Sequence, residues 1–291
     1  MRIPDNRVGT IETFFRQELK GLYEPEEIRM ITFLCFETFL GFKSPSDLVL
    51  HASDNVNQSD LLKFNFAAKE LKKHRPVQYV LGRTIFYNCI LAVNEQVLIP
   101  RPETEELVDM VIRENKGKAV KIVDIGTGSG CIAIALKKYC PEATVFALDI
   151  STEALKLAAK NAESNNVSID FCEWDILDEN KLWPGPVLDI IVSNPPYIDL
   201  SEKEAIAPHV KDQEPHLALF VNGDDVLLFY RKIVLFASQN LKPGGTVYFE
   251  INEAKGKEMV QLITDSGYEK IKLHQDLNGK SRMISASKKV F

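Results

Sequence analysis

The residues best equipped for chemistry stand four in a row, Asn194-Pro195-Pro196-Tyr197. Asn194 brings a side-chain amide with two donor hydrogens and an acceptor oxygen. Pro195 offers a backbone carbonyl without an N–H, and Tyr197 a flat aromatic face. Two acceptors beside a ring suit a planar –NH2 group, which has two hydrogens to give and a plane to stack. Consecutive prolines fix their own φ and restrict the residue ahead of each, so the segment is stiff and extended. Taken alone, a Pro-Pro turn that only ends a strand explains the tetrapeptide equally well.

A second set lies upstream. Gly126-Thr127-Gly128-Ser129-Gly130 allows a tight turn and close backbone approach to a ligand at a helix N-terminus. The spacing departs from the dinucleotide fingerprint, which needs Gly where this chain has Cys131, and no Lys follows in P-loop position. Asp124 precedes the turn, Asp149 ends the next apolar run and Asp175 follows the third. A carboxylate at the place of Asp149 can accept both hydroxyls of a ribose, and one at Asp175 can accept from an adenine amino group. Each Asp alone reads equally as a solvated loop residue. Three at successive strand ends do not.

These residues require a sheet to present them. From residue 120 onward, apolar runs at 121–125, 143–148, 169–172 and 187–193 alternate with helical periodicity, which predicts a mostly parallel sheet with helices on both faces. Ser151 is the expected cap of the helix after the second strand. Later come a helix around 226–236, a turn at 242–245, a strand at 246–251 and a helix at 255–266. A closing hairpin over 268–273 and 282–286 turns at Asn278-Gly279. The tetrapeptide then ends the fourth strand, where open α/β sheets bind ligands.

The first 75 residues read as helices. Thr10 is the expected cap of the first, Pro25 starts the second and Gly41 stops it, and a third carries Leu61, Phe64, Ala68 and Leu71. The basic run 72–75 reads as a cationic helix end, with contact to a partner as the alternative. Residues 84–87 and 90–93 form a hairpin turning at Asn88-Cys89. In Leu98-Ile99-Pro100-Arg101-Pro102-Glu103-Thr104-Glu105, helix initiation explains most of the sequence, and lining an active site is the other reading. The expected domains are 1–75, a hairpin linker at 76–100, and 101–291.

The 291 residues carry a net charge of −6, which argues against broad, sequence-independent binding to nucleic acid. Five cysteines without a C-x-x-C pair and five scattered histidines give no metal-site spacing and fit a reducing compartment. With neither an apolar leader nor a membrane-length run, a soluble cytoplasmic protein is expected. A monomer is expected too.

Together these motifs resemble the class I S-adenosylmethionine-dependent methyltransferases. Asp-x-Gly-x-Gly-x-Gly at 124–130, Asp149 and Asp175 follow the family's cofactor motifs in order, and 194–197 its target-amino motif. Arg75-Pro-Val-Gln-Tyr-Val-Leu-Gly82, the segment 98–105 and Ser193-Asn-Pro-Pro-Tyr-Ile198 narrow the likeness to the HemK/PrmC family, the release factor glutamine methyltransferases.

The resemblance implies an α/β fold, a Rossmann-like methyltransferase sheet with a small all-α N-terminal domain that docks class I peptide chain release factors. It implies methylation of the glutamine side-chain amide in their Gly-Gly-Gln motif, with S-adenosylmethionine bound by Gly126, Thr127, Gly128, Ser129, Gly130, Asp149, Asp175 and Asn194, and S-adenosylhomocysteine as product. Asn194, Pro195, Pro196 and Tyr197 would bind the substrate, with catalysis assigned to Asn194, Pro195 and Tyr197. The chain departs from the family pattern at Gln213-Glu214-Pro215, Asn222-Gly223-Asp224-Asp225-Val226 and Glu250-Ile251-Asn252. Three other readings compete: a DNA or RNA adenine methyltransferase sharing the tetrapeptide, an NAD-dependent oxidoreductase that the glycine spacing disfavours, and a non-catalytic binding protein on the same fold.

Overall fold

The computed structural model describes residues 3–205, 208–221 and 225–290; the stretch 222–224 that departs from the family pattern lies outside them. The chain divides into two compact units, residues 1–82 with 208–213, and residues 83–207 with 214–291.

The first unit is helical: α1 Val8–Leu19, α2 Pro25–Leu40, α3 Pro45–Leu50, α4 Gln58–Leu71 and α5 Val77–Leu81. Phe15, Phe36 and Phe64 are fully buried, with Phe64 edge-on to Phe15 at 6.1 Å between centroids and tilted against Phe36 at 4.6 Å. Pro25 opens α2 and Gly41 closes it in the left-handed region, as the sequence predicts. Thr10 is not a cap. α1 starts two residues earlier, after an extended Arg7. The short α3 carries a reciprocal Ser44–Asp47 capping box, and α5 holds the Gln78-Tyr79 part of its motif in a helix closed by Gly82. The basic run is neutralised within the bundle: Lys72 pairs with Glu18 (2.8 Å), Lys73 with Glu70 (2.7 Å) and Arg75 with Glu70 (3.5 Å).

The second unit begins with a hairpin, β1 Arg83–Phe86 and β2 Cys89–Ala92. Its turn is Tyr87-Asn88, both at positive φ, one residue earlier than expected, so Cys89 belongs to the strand. The chain continues through α6 Pro102–Asn115, β3 Lys121–Ile125, α7 Cys131–Tyr139, β4 Thr144–Asp149, α8 Thr152–Ser164, β5 Asp170–Glu173 and β6 Leu188–Ser193. The short β7 Ile198–Asp199, α9 Pro208–Gln213 (grouped with the helical unit), α10 His216–Leu219 and β8 Phe220–Val221 come next. Then follow α11 Leu228–Asn240, β9 Leu241–Glu250, α12 Gly256–Asp265, β10 Tyr268–Gln275 and β11 Ser281–Lys288.

Seven strands form one sheet in the order β10-β11-β9-β6-β3-β4-β5. β5, β4, β3, β6 and β9 run parallel, and β11 is antiparallel to both of its neighbours. The residues 242–245, expected as a turn, lie within β9. The pairing with β6 skips across them, from Leu188 opposite Leu241 to Ile190 opposite Thr246.

The period-2 alternation sorts side chains to two cores. Ile122, Ile190 and Val192 pack with α6 and α7, while Val123, Ile125 and Ile191 pack with α11 and α12. From β3 the chain builds outward through β4 to β5, then returns to lay β6 on the other side of β3. That reversal leaves a crevice at the carboxyl ends of β3 and β6, with the glycine turn following one strand and Asn194 the other.

Candidate active site

One wall of the crevice is built from backbone. Gly126 and Thr127 both donate their N–H to the Leu148 carbonyl, at 2.8 and 2.9 Å, folding the turn across the end of β4. Gly126, Gly128 and Gly130 all take positive φ. At Gly130 space is also tight, since a Cβ would lie 3.0 Å from both Ala158 Cβ and Ile134 Cδ1. Asp149 ends β4 and accepts the Gly128 N–H at Oδ2 (2.8 Å) and the Ser151 N–H at Oδ1 (2.9 Å). Burial raises its pKa, and the backbone N–H groups oppose that shift. Beneath the turn, Asp124 is wholly buried and accepts the Thr127 hydroxyl at 2.6 Å. Burial pushes its carboxyl up to about 7. Asn161 of α8 clamps the arrangement, donating to the Ser129 carbonyl (2.9 Å) while pairing with both backbone groups of Ala92 in β2.

The opposite wall is built from side chains. The Ser193 hydroxyl donates to the Ile125 carbonyl (2.6 Å), tying the end of β6 to β3. Asn194 Nδ2 donates to Thr104 Oγ1 (3.2 Å), and Thr104 donates to Glu250 Oε2 (2.6 Å). The Tyr197 hydroxyl donates to Glu250 Oε1 (3.3 Å), and the Tyr230 hydroxyl to the Glu250 backbone carbonyl (2.9 Å). Glu250 is 1% exposed, and burial raises its pKa.

The 98–105 segment does more than start a helix. The Ile99 N–H (3.1 Å) and the Arg101 guanidinium (2.5 Å) hold the buried Glu214, and Pro102 opens α6 so that Thr104 reaches Asn194 and Glu250. In the divergent triplets 213–215 and 250–252, it is the carboxylates that make these contacts, and Asn252 caps a short turn by accepting the Ala254 N–H.

A cleft of ≈ 190 Å³ opens between the walls. Gly126, Gly128, Asp149 and Asp175 line it together with Asn194, Pro195 and Pro196. Thr127, Ser129, Gly130 and Tyr197 are not among the lining residues; the first two are buried in the turn, and Tyr197 is anchored through its hydroxyl. Thr104, Glu214 and Glu250 stand out in the sequence only inside longer motifs, and Asn161 and the cleft-lining Trp174 carry no role there. The signal for Glu250 was available, since it is an acid closing an apolar strand, the pattern that marked Asp149.

The cleft suits a nucleoside. Asp149 keeps acceptor capacity beyond its two backbone partners, enough for a vicinal diol. Trp174, Ile176, Leu177 and Phe229 supply apolar surface for a base, and Asp175, already accepting the Leu177 N–H at 2.8 Å, stands beside it. Asn194 and Pro195 bring their acceptors to the same cleft.

Comparison with known proteins agrees with this fold. Residues 104–217 match the family model Methyltransferase small domain, and residues 13–82 match PrmC N-terminal domain. A methyltransferase from Pyrococcus furiosus shares the fold (TM-score 0.52, 18% identity, 69% of this chain and 89% of that one). So does the 16S rRNA methyltransferase RsmC of T. thermophilus, solved with AdoMet and guanosine (TM-score 0.51, 17% identity, 71% and 50%). The Release factor glutamine methyltransferase of Flavobacterium psychrophilum is 46% identical over 284 residues, 96% of this chain and 99% of its own length. That of Bacteroides thetaiotaomicron is 41% identical over 286 residues, 97% and 100%. With its crevice, its paired walls and full-length relatives of one kind, the chain belongs to the release factor glutamine methyltransferase family.

Proposed function

We propose that this enzyme methylates the side-chain amide nitrogen of the glutamine in the Gly-Gly-Gln motif of class I peptide chain release factors, with S-adenosylmethionine as methyl donor. The observation that carries the reading is the Asn194 amide. Its Nδ2 is committed to Thr104, which leaves Oδ1 as an acceptor beside the Pro195 carbonyl in a cleft shaped for a nucleoside.

The turn at Gly126 and Gly128, Asp149 and Asp175 would hold the cofactor, with Asp149 suited to its ribose hydroxyls and Asp175 to its base; Thr127, Ser129 and Gly130 shape that turn. When bound, S-adenosylmethionine supplies a methyl group on a sulfonium sulfur, an electrophile that leaves a neutral thioether. An amide nitrogen is a poor nucleophile because its lone pair is delocalised into the carbonyl. Asn194 Oδ1 and the Pro195 carbonyl each accept one of its N–H groups, which turns the lone-pair face toward the methyl donor. Such positioning can supply up to ~7–11 kcal/mol of a barrier. Tyr197 fixes the segment through Glu250 and stiffens the acceptor side.

The helical unit, residues 1–82, is the docking surface for the release factor in this reading, and the protein acts as a cytoplasmic monomer. The test is labelled-methyl transfer to a purified release factor, to the same factor with the target Gln changed, and to DNA. Label is expected on the first alone. Label on DNA with none on the factor would overturn the proposal.

A further inference from the structure

We propose that Thr104 and Glu250 are positioning residues that decide which end of the Asn194 side-chain amide faces the acceptor. The inference deepens the proposed function and rests on its reading of Asn194 Oδ1 as the group that receives a substrate N–H.

The supply of hydroxyl hydrogens sets the orientation. A threonine hydroxyl has one hydrogen to give, and Thr104 Oγ1 stands between two partners, Glu250 Oε2 at 2.6 Å and Asn194 Nδ2 at 3.2 Å. An ionised carboxylate only accepts, so the hydroxyl hydrogen goes to Glu250. Thr104 then has only lone pairs left for Asn194, and the –NH2 end of the amide is the end that can meet them. Oδ1 is thereby turned away from Thr104. The reversed amide would set two oxygen lone pairs against each other at that contact. Thr104 is 2% and Glu250 1% exposed, so bulk water does not compete for either group.

Glu250 is anchored independently of Thr104. Tyr197 donates to its other oxygen and Tyr230 to its backbone carbonyl. Among the charged groups around it, Arg282 of β11 favours the ionised form and Glu103 of α6 opposes it. Burial raises the pKa, while the two hydroxyl donors and Arg282 work against that shift. Protonated Glu250 has one hydrogen to give, and when it sits on Oε2, the oxygen that faces Thr104, Thr104 accepts it and the Thr104 hydroxyl is released to donate to Asn194. The amide then turns and presents N–H groups to the acceptor's N–H groups. Turnover therefore falls on the acid side as Glu250 takes up its proton.

The test compares Thr104→Val, which keeps the shape and removes the hydroxyl, with Thr104→Ser and Glu250→Gln. Glutamine at 250 must set an N–H against either Thr104 or Tyr197. The readouts are kcat on release factor, equilibrium binding of S-adenosylmethionine, and the pH profile of kcat. Thr104→Val and Glu250→Gln are expected to lower kcat roughly 10–100-fold while cofactor affinity stays within about twofold. Thr104→Ser should recover most of the loss, and Glu250→Gln should lack the acid limb assigned to Glu250. Wild-type kcat in Thr104→Val, equal damage from Ser and Val, cofactor affinity falling in step with kcat, or an unchanged acid limb in Glu250→Gln would each overturn the proposal. The unsubstituted enzyme run alongside separates the two readings: failure to label the release factor there defeats the substrate assignment and not this inference.

Discussion

On the glycine-turn side of the cleft, the shaping contacts have a backbone group as one partner, those of the Asn161 clamp included, except where Thr127 donates to Asp124 beneath the turn. Gly128 meets Asp149 across 21 residues, and Ser151 meets it across two. On the acceptor side, Asn194 reaches Thr104 across 90 residues and Thr104 reaches Glu250 across 146, through side chains alone. A wall of backbone N–H groups keeps its polarity whatever its neighbours do. A wall of hydroxyls and amides holds its polarity only while each hydrogen stays with one particular partner. One side presents groups fixed by backbone conformation, and the other presents groups whose orientation depends on side-chain partners.

The sharpest way to break this contrast is Asn194→Ala. Turnover on release factor should fall by roughly 10²-fold or more with S-adenosylmethionine binding intact, measured by single-turnover kinetics and equilibrium dialysis. Parallel loss of both would mean that the walls are not separable. Asp149→Ala is the converse, expected to weaken cofactor binding roughly 10–100-fold while kcat at saturating cofactor changes little, as calorimetric titration would show.

A third test concerns stability and pH. Asp124 titrates at about 7 in the folded chain against 3.8 when free, so the folded state holds an extra proton between those values. Its contribution to stability is fully present below 3.8 and is lost as pH rises through about 7. Asp124→Asn should remove that decline, so the Tm difference between variant and parent widens in the variant's favour from about pH 4 to pH 7. A constant difference would contradict the burial of this carboxyl. The smallest effect is expected at Ser151→Ala. Loss of the α8 cap, where the hydroxyl accepts the Ala154 N–H at 3.1 Å, should cost about 1 kcal/mol of stability in denaturant unfolding and leave Asn194-dependent turnover unchanged.

The contrast also explains what could be read from the sequence. The parallel strands, the glycine turn, Asp149 and its Ser151 cap were legible because apolar runs, turn residues and caps are local signals. α3 and α5 carry no readable periodicity, because six and five residues give a helical pattern too little length. The stretch 242–245 looked like a turn, yet tertiary pairing carries β9 through it as an irregularity. Thr10 resembled a cap, but Val8 and Gly9 already bond to Asp54 and Ala52 carbonyls and begin α1 upstream of it. Thr104 was visible only as part of a motif, because its partners are brought to it by the fold.

The Asn161 clamp has a consequence for motion. Its amide pairs with Ala92 as a neighbouring strand would, and the same Nδ2 also reaches the Ser129 carbonyl. Fraying of the hairpin edge and loosening of the glycine turn therefore draw on one set of hydrogen bonds, and the expected outcome is that they open together. The Ala92 amide, out on an edge strand, becomes a reporter on the pocket. Its deuterium uptake should slow when S-adenosylmethionine fills the cleft, although no atom of Ala92 lines it.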